Sequence, residues 1–184
     1  MSVPKSYKGI LELFKKQPVE ICKYFRYLPP LIKNDLPYDI ALAYLFSQIE
    51  RAHRRTLYCG ITKRYSANSE LTDEIIRKEY VTRDGFKQLF KNVYGQEFPD
   101  GLNKMIEHAE DMRDTGMHGK PAGDADLRQA IHDVFEYAKE FNRMISRLEG
   151  FEPFGDLRGF KGRGENMDKE TTRWILKGLS FSIK

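Results

Sequence analysis

Cysteine is nearly absent: Cys22 and Cys59 are the only two, too few for a disulfide framework and without metal-ligand spacing. That excludes a small fold stapled by disulfides or zinc, and it points to a reducing cytoplasm. Long apolar runs are missing as well. The longest, Ile40 to Phe46, is far too short to cross a bilayer, and the N-terminal lysines are not followed by an apolar segment. The expectation is a soluble protein, neither exported nor associated with a membrane. Charge of one sign does not dominate: 31 Lys and Arg stand against 27 Asp and Glu, well short of a strongly basic DNA-binding domain. No Gly-x-Ser-x-Gly elbow, phosphate-binding glycine loop or calcium loop occurs, and His108, His118 and His132 lack a tight zinc spacing. Neither a metal nor a cofactor is expected.

What is present suffices for a core. The 184 residues are 40% hydrophobic and 12% aromatic, the size of one domain with extensions. Residues 1–33 hold seven basic and two acidic side chains, residues 151–184 seven and five, and the stretch between them seventeen and twenty. A basic periphery around a slightly acidic centre permits a nucleic-acid partner held by its phosphates. Composition divides the chain into an N-terminal helical arm (1–34), a helical bundle (35–150), and a glycine-rich basic linker with a C-terminal helix (151–184).

The periodic segments are helical. Asp35 reads as a cap with Leu36 and Pro37 in the first turn, after which Tyr38, Leu42, Leu45, Ile49, Ala52, Thr56 and Cys59 alternate steps of four and three to about Gly60. Asp124 opens a second long helix, where Leu127, Ile131, Val134, Ala138, Phe141, Ile145 and Leu148 keep the same rhythm to Gly150. Between them, Ser69 or Thr72 opens a short helix, Thr82 caps another that stops at Gly95, and Asp100 caps a third. In the arm, a helix near Tyr7 to Lys16 carries Ile10, Leu11 and Phe14, and a second near Val19 to Tyr27 precedes the pair Pro29 and Pro30. The arm either straps across the bundle or sets Lys15, Lys16, Lys23 and Arg26 against RNA.

The segment from Asp111 to Lys120 organises the rest. Leu102, Ile106 and Ala109 follow one helix face, and the next position on that face is Arg113. Gly116 and Gly119 are expected to stop the helix and Pro121 and Gly123 to keep it from resuming, which leaves His118 in the turn. On an unbroken helix Arg113 and His118 would stand ~140° apart, so the glycine break is what should let them converge.

This arrangement resembles the HEPN superfamily, whose ribonuclease members carry an arginine, four to six intervening residues and a histidine at a helix junction. Arg113, four residues and His118 match it, with Asp114 as the polar residue after the arginine and Gly119 after the histidine. The resemblance covers roughly residues 36–150. It implies an all-α, up-and-down helical bundle with two long antiparallel helices and shorter flanking ones. It also implies a homodimer that places both protomers' arginines and histidines in one cleft, and a metal-independent endoribonuclease. Toxin, stress or phage-defence roles come with it, and with them an antitoxin protein as a further partner.

Cutting RNA through its own 2′-hydroxyl needs a base, an acid for the leaving 5′-oxygen, and positive charge at the phosphorus. Histidine titrates near neutrality, so His118 can serve as base or acid, and the planar fork of Arg113 can grip phosphoryl oxygens. Asp114 would orient Arg113 or His118, or meet the partner subunit. The plainer reading has Arg113 neutralising the helix C-terminus and His118 capping a turn. Candidate RNA contacts are Lys120 and the basic helix end of Arg51, Arg54 and Arg55 around His53, a cluster that also reads as a solvated charged face. Arg158, Lys161 and Arg163, interleaved with glycines in the stretch that also carries Phe154 and Phe160, read as a flexible linker or as an RNA-facing arm whose rings stack bases. Asp168 caps a last helix, and Trp174 within it is expected to anchor on the bundle rather than to serve as a base-stacking platform. Two other readings stay open: a catalytically silent HEPN-like module binding nucleotide or protein, and a DNA-binding regulator built on residues 71–94.

Overall fold

A computed structural model of the chain describes residues 3–34, 36–79, 81–157, 160 and 166–183. Among them the structure is all helical, with nine α-helices and no strand. They are α1 (Tyr7–Lys15), α2 (Val19–Tyr24), α3 (Leu28–Lys33), α4 (Tyr38–Tyr65), α5 (Ser69–Lys78), α6 (Arg83–Tyr94), α7 (Asp100–Met117), α8 (Asp124–Glu149) and α9 (Lys169–Gly178). No helix among the described residues is long and apolar enough to cross a membrane. The chain forms two compact units, Met1–Glu50 with Pro99–Asp156 and Arg51–Phe98 with Leu157–Lys184. The 28-residue α4 contributes its first half to one and its second half to the other. The cap expected at Asp35 lies outside the described residues, and α4 runs five residues past Gly60.

In the first unit α7 packs along α8, and α1 and α2 also lie on α8. The seam expected on α8 faces inward from Leu127 to Ile145, with Leu148 half-buried, and Gly150 ends the helix at φ +74°. Asp100 and Asp124 are not the caps expected. Pro99 and Gly123 hold those positions, and the two carboxylates stand in the first turns, where they face the positive end of the helix dipole. Pro29 and Pro30 open α3 rather than breaking the chain, because the first turn of a helix has no N–H bond to lose there. On α1, Ile10 and Phe14 are buried, and Tyr7 stacks on Tyr38 with ring centroids 4.4 Å apart.

After α8 the chain turns inward. Phe154, which the linker reading leaves free and the alternative reading turns to bases, is fully buried against Tyr24, Phe25, Tyr137 and Phe141 at centroid distances of 5.4, 5.7, 6.2 and 5.9 Å. The reason is a polar latch. The buried Asn142 of α8 accepts the Phe154 N–H at 2.8 Å and donates to its carbonyl at 3.3 Å, so the turn's backbone is satisfied without water.

In the second unit Asn68, not Ser69 or Thr72, caps α5 by accepting the Leu71 N–H at 3.1 Å. Thr82 caps α6 by accepting the Gly85 N–H at 3.0 Å, and Gly95 ends it at φ +72°. The second half of α4 meets α6 at Gly60, where an added Cβ would lie 2.6 Å from Tyr94 Cζ and 2.8 Å from Val93 Cγ1. Tyr94 holds that approach by donating its hydroxyl to the Thr56 carbonyl at 2.7 Å. His53 lies flat on Phe86, centroids 3.8 Å apart, and burial pushes its pKa down to about 3. Six residues further along α4 the Cys59 thiol is buried, and burial raises its pKa to about 12.

Gly60→Ala should lower stability by about 1–3 kcal/mol in denaturant unfolding, because Tyr94 and Val93 must give way. An unchanged midpoint would mean that the helices do not approach so closely. A neutral His53 in the folded chain, against an unfolded value near 6.5, makes the unfolded state bind the extra proton between those pKa values. Stability is then lost as pH falls from ~6.5 toward 3, by at most about 1.4 kcal/mol per pH unit. The stability gap between wild type and His53→Gln should therefore shrink from pH 7 to pH 5. A constant gap would show that the folded chain protonates this ring as easily as the unfolded one.

Candidate active site at the end of α7

The apolar stripe of α7 leads to Arg113 as the spacing indicates. Leu102, Ile106 and Ala109 are buried, and one turn later the Arg113 guanidinium carbon lies 4.5 Å from the centre of the Phe46 ring on α4. Its Nε and Nη2 both donate to Asp114 Oδ1, at 2.9 and 2.7 Å. The arginine side chain is 27% exposed and the carboxylate 54%, so the ion pair itself contributes less than about 1 kcal/mol. Its effect is orientation: ring and carboxylate together hold the fork in place, and Nη1 makes no hydrogen bond or ion pair among the described residues. Asp114 thus serves Arg113 rather than His118.

The break in α7 is not where the sequence places it. Gly116 lies within the last turn, and the helix runs on to Met117. His118 is the C-cap, and its own N–H still bonds the Asp114 carbonyl at 3.0 Å. The stop is Gly119 at φ +68°, whose N–H reaches the Gly116 carbonyl at 3.0 Å while the Lys120 N–H reaches Thr115 at 3.1 Å. Those two bonds are the Schellman pattern, which needs a left-handed residue at Gly119 and nothing special at Gly116. Helical phase therefore holds through His118, and Arg113 and His118 project ~140° apart around α7. The convergence expected within one chain does not occur.

His118 is exposed, and its ring makes no hydrogen bond or ion pair among the described residues. Exposed Lys120 lines a cavity of about 250 Å³ with Tyr38, Asp39, Gly116 and Asp124, and His118 is not part of its lining. Arg51 and Arg54 are exposed and Arg55 is half-buried, all three in the second unit. Within that unit Arg64 turns to the Tyr94 carbonyl at 3.2 Å, and on α6 Lys87 pairs with Asp84 and Lys91 with Glu97. Arg158, Lys161 and Arg163 lie outside the described residues.

Two features escaped the sequence reading. Phe46 gives no local sign of being a platform, since its partner is 67 positions away and only tertiary packing joins them. The other is a polar tie between α7 and α8. His108 Nδ1 stands 2.9 Å from Asp133 Oδ2, and the other oxygen of Asp133 accepts the Gln129 amide at 2.5 Å. Among the described residues no group of His, Cys, Asp and Glu is arranged to hold a metal ion. No family model matches the chain, nor does any curated protein or solved structure.

The two glycines give opposite expectations. Gly119→Ala puts a side chain in the left-handed region and should cost about 1 kcal/mol. Gly116→Ala meets only Asp39 Cβ at 3.5 Å, an ordinary contact, and should be neutral or stabilise the helix by up to about 1 kcal/mol. Thermal unfolding of the two variants checks this, and equal losses at both positions would overturn the assignment of the helix stop.

Proposed function

We propose that this chain is a metal-independent endoribonuclease of the HEPN type, acting as a homodimer. The observation that carries the reading is the end of α7. An arginine is held over Phe46 by its neighbour Asp114, and a histidine with no hydrogen bond or ion pair among the described residues caps the same helix in the open. In this reading α4 and α8 are the long antiparallel pair of the bundle, and α7 delivers the motif between them.

The angular separation of Arg113 and His118 supports the dimer. A phosphate gripped by Arg113 is on the wrong side of α7 for His118 of the same chain, so a second copy has to supply the facing group. Met117 is 74% exposed and Ile40 44%, apolar side chains close to the motif that self-association would cover. In such a pair one imidazole takes the proton of the 2′-hydroxyl as its oxygen forms the new bond to phosphorus. The other gives a proton to the 5′-oxygen as the old bond breaks, and Arg113 offers Nη1 to the charged phosphoryl oxygens. The products are a 2′,3′-cyclic phosphate and a 5′-hydroxyl. DNA, lacking the 2′-hydroxyl, would be left intact.

Purified protein incubated with end-labelled single-stranded RNA in excess chelator should yield fragments ending in cyclic phosphate. His118→Ala should cut at least about 100-fold more slowly with its dimer mass unchanged. A wild-type dimer that leaves RNA whole would sink the enzyme in favour of a silent binding module, and a fully active His118→Ala would sink the assignment of the residue.

A further inference from the structure

The chain has a single tryptophan, and it is not used for packing. Trp174, expected as an anchor, is 68% exposed on α9, while Thr172, Leu176 and Leu179 take the inward positions. The helix is amphipathic enough to dock without it, which leaves a large aromatic surface in water with no structural duty. Lys177 sets its ammonium 5.3 Å from the centre of the indole, within cation–π range, and so steadies the ring from one side. Arg173 lies on the same exposed surface. Neither Arg173 nor Lys177 forms an ion pair among the described residues, whereas Lys169 is drawn to Glu70 at 3.3 Å. Glu170 shares that surface, and Glu74 of α5 lies within electrostatic reach of Arg173 and Lys169 without forming an ion pair with Arg173.

We propose that Trp174, Arg173 and Lys177 form a stacking platform for single-stranded nucleic acid, with a base on the open face of the indole and the flanking phosphates on the two cations. Every base offers a ring face, and the two cations complement the backbone charge, so the platform binds with little sequence preference. A membrane surface fits less well. It needs a contiguous apolar face, and in this unit Met167, 39% exposed, is the only other large apolar side chain in the open among the described residues. As a hold on a substrate strand the platform rests on the nuclease reading. As a binding surface it stands apart from it, because stacking does not need a 2′-hydroxyl.

That difference makes the test separable. Fluorescence excited at the red edge, where tyrosine does not absorb, reports Trp174 alone, so full-length wild type titrated with a short oligodeoxythymidine, which the proposed chemistry cannot cut, should show quenched emission. His118→Ala with oligouridine of equal length should show the same. By anisotropy of the labelled oligonucleotide, Trp174→Ala should bind about tenfold or more weakly. Trp174→Phe should recover part of that loss, and reversing both charges in Arg173→Glu/Lys177→Glu should weaken binding and flatten its salt dependence. Quenching by both oligonucleotides in a protein that cuts no RNA would leave the platform standing and remove only the nuclease. Oligonucleotide bound to saturation with unchanged emission would overturn the platform. So would an emission that shifts with phosphatidylglycerol vesicles and ignores oligonucleotides, the mark of a membrane surface, or one that responds to neither.

Discussion

The placement of Arg113 is the constraint from which the candidate site follows. A guanidinium at the end of a buried apolar stripe cannot shed its charge, so it needs a surface that tolerates a cation and a carboxylate that steers it. Phe46 supplies the first and Asp114 the second. Neither contact is strong, each on the order of 1 kcal/mol or less. Together they turn a long side chain with many rotamers into a fixed fork, and preorganisation of that kind is what phosphate recognition requires.

The sequence was legible where periodicity and capping chemistry act locally. The inward seam of α8, the cap at Thr82 and the stops at Gly95 and Gly150 could be read from residue types alone. It was less legible where a residue type has two uses. Glycine weakens a helix on average, yet of the two at the end of α7 only Gly119 takes a left-handed backbone. Gly116 is carried along by the hydrogen bonds on either side of it. Proline ends a helix from inside and begins one from its first turn, and the spacing of Pro29 and Pro30 could not choose between these. Phe154 and Trp174 exchanged roles for a tertiary reason. Asn142 offered the backbone of Phe154 a buried partner, while on α9 the smaller Thr172 and the branched Leu176 filled the inner positions.

Placing the histidine on the far side of α7 changes what the motif demands. If glycine had broken the helix early, one chain would have held both groups and self-association would have been a refinement. With helical phase kept through His118, the proposed chemistry has no intramolecular form, and a monomer would hold phosphate without being able to move its protons. Activity would then track protein concentration near the dimer's dissociation constant, a form of control built into the geometry of one helix end.

The latch at Asn142 carries a different implication, for how this position can vary. Its amide gives a donor and an acceptor to the backbone of one residue inside the core, and each is needed in its own place. Aspartate has the same outline but only acceptors when ionised, and would set a charge against the Phe154 carbonyl. Leucine fills the space and orphans both backbone groups, and glutamine reaches too far. Chains related by descent should therefore keep asparagine here, or lose the inward turn together with it.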